Sequence, residues 1–270
     1  MNMKKMQKLL TTAILMIIFY SPLQAGEIIE VMTKDLNGSE TKEGVMQFLF
    51  SNGFIKMKSD QNTEMIFNNS AKNMTIISHD QKSYMVMDQN SVSSMKNQIN
   101  QAMEQALANV PAEQRGMVEK MMKQRIPQMA PPQVTQEAPK TDIRLTTRND
   151  TINGYDCVFY EAYRNEQKQG EYCVSEWSEL DASDNIETSF KNMSEFMEGM
   201  LEQFSDMAPI RMDNNPFSYM KDIGGFPVFS RQYTNGKIIQ ETTLSSITES
   251  SIDDAVFQAP EGYQTESFAR

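Results

Sequence analysis

Few side chains in this sequence could carry out chemistry, and the short inventory narrows the reading. One histidine, His79, and two cysteines, Cys157 and Cys173, occur among 270 residues. Any Ser-His-Asp or Cys-His scheme would depend on His79, which sits beside Asp80 in a segment that reads as a turn, where histidine is ordinarily solvated. No Gly-x-Ser-x-Gly elbow, phosphate-cradling glycine loop or histidine-rich metal spacing is present. Carboxylates are too plentiful to single out a pair. The expectation is a protein that is not an enzyme, with no catalytic residue, no cofactor and no metal.

The two cysteines suggest a structural bridge. Set opposite one another on a hairpin, they make Tyr163 face Gln167 and leave Arg164-Asn165-Glu166 as the turn. Closing a loop of this size stabilises by about 3 kcal/mol in the chain-entropy model. Redox-active dithiols usually lie closer, as Cys-x-x-Cys.

Methionine is the unusual component, with 23 in the chain. Nine fall in two segments: Met95, Met103, Met117, Met121, Met122, Met193, Met197, Met200 and Met207. Three uses fit them. Methionine fills irregular core gaps, and it also suits a deformable lid over a lipophilic or peptide ligand. Thioethers can bind Cu(I), and Met117 with Met121, and Met193 with Met197 and Met200, have same-face helical spacing, but they are interleaved with Phe and Leu and lack a nearby histidine. The lid reading nominates Ile99, Met103, Met121, Met122, Phe190, Met193, Phe196, Met197 and Met200 as ligand-binding side chains.

These residues sit on two segments of helical periodicity. Over 92–126, Val92, Met95, Ile99, Ala102, Met103, Ala106, Leu107 and Val110 recur at three- and four-residue steps, and Pro111 suits the first turn of a second helix. Over 184–207, Ile186, Phe190, Met193, Phe196, Met197, Met200, Leu201, Phe204 and Met207 make an apolar stripe opposite Glu195, Glu198 and Glu202. Asp184 and Glu187 have the spacing of a helix start. Four prolines make 127–140 a stiff, exposed loop.

The remainder reads as short strands separated by turns. The spacing predicts strands near 28–33, 45–50, 54–58, 64–67, 74–77, 84–87, 142–148, 155–163, 171–177, 226–233 and 237–247, with Asn-Gly turns at Asn37-Gly38 and Asn235-Gly236. The expected class is α+β: a curved antiparallel half-barrel sheet of about ten or eleven strands, with inserted helices over its concave face.

The N-terminus indicates the compartment. Lys4, Lys5 and Lys8 precede an apolar run from Leu9 to Tyr20, then Pro22 and a small residue, Ala25. This is the layout of a secretory signal peptide spanning residues 1–25, with 26–270 as one domain. The whole chain has net charge −11, and loss of the three lysines takes it near −14. Such an anion is unsuited to binding nucleic acid through phosphates, or to anionic lipid surfaces.

The closing Phe257-Gln258-Ala259-Pro260-Glu261-Gly262-Tyr263, following Asn235-Gly236-Lys237 and a long strand, resembles the superfamily of periplasmic lipoprotein carriers, the LolA/LolB-like fold. Asn153-Gly154-Tyr155 with Cys157, Cys173 and Trp177 is similar to the middle of that superfamily's uncharacterised members. The resemblance implies an incomplete barrel whose hollow holds acyl chains or a lipoprotein. Other relatives sense stress through protein contacts, so an envelope protein is a further possible partner. The resulting expectation is a soluble periplasmic protein holding a lipophilic ligand between sheet and helices; the alternative is an interaction module without a small ligand.

Overall fold

Alternating side chains and tight turns build this molecule. In a computed structural model, the described residues are 24–38, 40–59, 62–108, 110, 111, 116, 141–180, 182, 184–205 and 223–266. Six strands come first: β1 Gln24–Asp35, β2 Lys42–Ser51, β3 Phe54–Ser59, β4 Thr63–Asn68, β5 Asn73–Ser78 and β6 Ser83–Met87. After helix α1, Gln89–Ala108, come β7 Asp142–Ile152, β8 Tyr155–Arg164 and β9 Gln167–Glu176. Helix α2, Asp184–Ser205, then leads to β10 Gly225–Thr234, β11 Lys237–Ile252 and β12 Gln264–Thr265. All twelve strands form one curved, open sheet in the order β12-β6-β5-β4-β3-β2-β1-β11-β10-β9-β8-β7. Every pairing is antiparallel except the short β12–β6 contact.

The turns explain why the register is so regular. Asn52-Gly53, Asn153-Gly154 and Asn235-Gly236 each hold two successive positive φ angles. That is the two-residue hairpin turn whose twist matches the strands it joins. Asn165-Glu166 does the same without a glycine. The expected three-residue turn at 164–166 is therefore shortened to two. Asn37-Gly38 is not such a turn: neither residue has a positive φ, and residues 36–41 join β1 to β2.

The expected cysteine register also shifts. Cys173 faces Phe159, while Cys157 lies two residues further along β8. The bridge between Cys157 and Cys173 is present with Cα atoms 5.2 Å apart, but it runs diagonally. An irregularity between Ala162 and Tyr163 slips the ladder, and a count back from the turn cannot anticipate it.

Helix α2 lies on the sheet for a simple reason. Ile186, Phe190, Met193, Phe196 and Met200 are all buried, at four- and three-residue steps, while Glu187, Glu195 and Glu198 are exposed. Phe190 is the hub: its ring lies 5.6 Å from Phe48, 5.2 Å from Phe50 and 5.7 Å from Phe226. Phe196 meets Phe67 at 5.3 Å. Helix α1 starts at Gln89, three residues before the expected position, because Asp88 Oδ1 accepts the Ser91 backbone N–H at 2.6 Å. It packs against α2 and β6.

The opposite face of the first strands is covered by the C-terminal segment. A helical turn at Asp254–Phe257 places Phe257 on Phe54, 5.4 Å between rings, within a cluster with Ile66, Ile77 and Ile252. Lys56 Nζ donates to the Val256 carbonyl at 3.0 Å. His79 sits in the turn after β5, as expected, but it is only partly exposed and belongs to this seam: its Nδ1 lies 2.9 Å from the Tyr263 hydroxyl and its Nε2 3.4 Å from Glu64. The closing Phe-to-Tyr stretch thus fastens the tail to the sheet's outer side.

Candidate functional site

Between the concave sheet face and Phe190 lies a cavity of about 340 Å³. Its position follows from strand alternation. Val31 and Thr33 of β1, Met46 and Phe48 of β2, Met57 and Ser59 of β3 and Thr63 and Met65 of β4 are alternate residues and so share one face. Phe226, Pro227, Ser230 and Gln232 of β10, with Gln240 and Thr242 of β11, complete the wall. The volume falls within the range of small-molecule sites, roughly 300–1,000 Å³. Val31, Phe48, Met57, Phe190 and Phe226 are buried; Thr63 is exposed, and Thr33, Ser59, Ser230, Gln232, Gln240 and Thr242 are partly so.

The nine nominated ligand-binding residues divide into three groups. Phe190 lines the cavity. Met193, Phe196 and Met200 are buried in the main core at 1%, 5% and 5% exposure, and Met197 packs against that core. Ile99 and Met103 lie on α1, but their side chains fall outside the described residues, as do Met121, Met122 and the loop 127–140. Most of the lining comes instead from strands. The signal was present as alternation in β1 to β4, but which face would remain unfilled depends on how far α2 covers the sheet.

A second polar feature sits on the other face of the β9–β11 wing, since Arg231 and Glu241 alternate with the cavity residues beside them. Glu171, 2% exposed, receives Lys168 Nζ at 2.5 Å and Arg231 Nη1 at 3.2 Å, with Arg148 Nη1 at 3.5 Å. Lys168 also reaches Glu161 at 2.7 Å, and Arg231 reaches Glu241 at 2.5 Å. Burial alone would raise the Glu171 carboxyl. The hydrogen bond and charge of Lys168, with Arg148 and Arg231, outweigh it and hold the group below the usual carboxylate range. Glu161 is lowered by hydrogen bonds from Lys168 and Tyr163. This network satisfies its own charges.

Among the described residues, no helix is long and apolar enough to cross a membrane. No family model matches the chain, and no curated protein does. Solved structures show distant likeness. PNGF-II is 7% identical with a TM-score of 0.39; the match covers 90% of this chain and 31% of that one. This chain thus spans about a third of that protein. The Pseudomonas aeruginosa MucA/MucB complex matches at 11% identity and a TM-score of 0.28, covering 90% and 58%. A domain named for outer membrane lipoprotein sorting, from Vibrio parahaemolyticus, matches at 9% and 0.29, covering 86% and 89%. At these scores the likenesses carry no part of the functional reading.

Proposed function

We propose that this chain is an exported periplasmic binding protein that holds the acyl portion of a lipophilic ligand between its curved sheet and α2, and that it performs no catalysis. The cavity is the observation that carries the reading. It is walled by Val31, Met46, Phe48, Met57, Met65 and three rings or ring-like side chains, Phe190, Phe226 and Pro227, and a hydrocarbon chain gains about 0.8 kcal/mol for each methylene placed there. The disulfide suits an oxidising compartment, and the N-terminal 25 residues have the layout of a secretion signal. The motif resemblance to lipoprotein carriers belongs to the same reading, with a lipoprotein as one source of the acyl chain.

The test is uptake of the uncharged fluorophore N-phenyl-1-naphthylamine, beside native mass spectrometry of gently purified protein. Wild type takes up the probe, and added lauroyl compounds displace it. Val31→Trp fills the cavity and weakens probe binding at least about tenfold while the circular dichroism stays native. A wild-type protein that takes up no probe and carries no lipid overturns the proposal.

A further inference from the structure

The cavity is chemically graded, and the grading follows the strand register. Its inner end is Phe190, Phe48 and Val31. One alternation further along β1, Thr33 faces Thr242 of β11, which faces Ser230 of β10. One alternation beyond that, Gln240 faces Gln232. The result is a polar collar of two cross-strand rows on three neighbouring strands. The side chains of Ser230, Gln232, Gln240 and Thr242 make no hydrogen bond among the described residues. Two carboxamides and two hydroxyls are therefore aimed at the cavity with their capacity unspent.

Charge enters the collar only at its exposed rim, where Asp35 of β1 faces Gln240 and Lys42 of β2 faces Asp35. No carboxylate lines the cavity among the described residues, although the chain holds 36 Asp and Glu. Lys58 is the one cation among the described lining residues, and it follows inward-facing Met57, so its side chain leaves by the opposite face beside Val45 and Gln47. By register the first charge beside Gln240 is the Asp35 carboxylate, with Lys42 one strand further, so a carboxylate head drawn to this collar would lose hydration next to a like charge. A neutral carbonyl, amide or hydroxyl would meet donors and acceptors of its own kind.

We infer that the site selects single-chain amphiphiles with an uncharged ester, amide or polyol head, bound tail-first with the head at the collar. The inference rests on the cavity reading above and adds head-group selection to it. The experiment measures displacement of N-phenyl-1-naphthylamine by 1-monolauroylglycerol, lauramide and laurate at neutral pH. The two neutral ligands displace the probe at about tenfold lower concentration than laurate. Gln232→Leu/Gln240→Leu removes that preference, read within the variant as the ratio of the laurate and monolauroylglycerol concentrations that displace the probe. Equal displacement by laurate and the neutral ligands overturns head selection while the cavity reading stands; so does a double variant that keeps the preference. A wild-type protein that never takes up the probe defeats both. A double variant that fails to fold is replaced by Gln232→Glu/Gln240→Glu, whose added charges must penalise laurate more than monolauroylglycerol.

Discussion

Glu171 is an acid held inside a sheet by three cations, and that arrangement fixes how it responds to change. Removing the carboxylate in Glu171→Ala strands Lys168 and Arg231 beside a buried site, at a cost of about 3 kcal/mol in a urea melt. The pH response has a defined sign. A carboxyl lowered in the folded state stabilises fully above the ordinary glutamate pKa of about 4.3, and that contribution fades as pH falls through the lower folded value. Glu161 acts in the same direction. The urea midpoint of wild type therefore drops between about pH 5 and pH 3, and Glu171→Gln drops less steeply over that interval. Nothing in the order of residues announced this network. Its partners lie on β7, β8, β9, β10 and β11, and only the ladder register says which of many acids meets which base. His79 was legible as a turn residue but its partner was not, for a related reason: Tyr263, which meets its ring, lies far along the chain.

At the level of elements, α2 and the hairpins were readable because local chemistry and tertiary packing agree. The stripe from Ile186 to Met200 has helical steps, and those same residues are the buried ones. Eleven strands fall where alternation and turn residues placed them, whereas β12 escaped notice because a two-residue parallel contact has no periodicity. The diagonal disulfide was legible as a pair but not as a register, since one irregularity in β8 is invisible to spacing. Replacing Phe190 by alanine removes a ring that touches Phe48, Phe50, Trp177 and Phe226, and should cost about 3–5 kcal/mol in chemical denaturation. Cys157→Ala/Cys173→Ala should cost about 3 kcal/mol in the same assay, by freeing the unfolded chain. The candidate site was less readable than the fold. Sequence pattern pointed to the Met-rich helices because an apolar stripe demands a partner. It could not say that Met193 and Met200 would be consumed as core while strand residues of both polarities were left facing a space.

Across the whole molecule, the arrangement is one sheet carrying cover on both sides: α2 on the concave face, and the C-terminal strap on the outside of β3 to β6. The strap is anchored by Phe257 on Phe54, by Lys56 to the Val256 carbonyl, and by β12 along β6. Ending the chain after Ile252 would expose Ile66, Ile77 and Phe54 together. Thermal unfolding of such a truncated protein should begin at lower temperature than that of the full chain, and a dye for exposed apolar surface should bind it more strongly.

The position of β1 has a consequence for how the chain is made. Its partners are β2 on one edge and β11 on the other, with Glu27 between Phe50 and Glu249. A polypeptide emerging amino-end first can assemble β2 to β6 as a local ladder, but the far edge of β1 stays bare until more than two hundred further residues have arrived. Such distant closure makes completion slow, on the millisecond-to-second scale of sheet proteins rich in long-range pairings. During that interval its open border can recruit a stray strand from another copy.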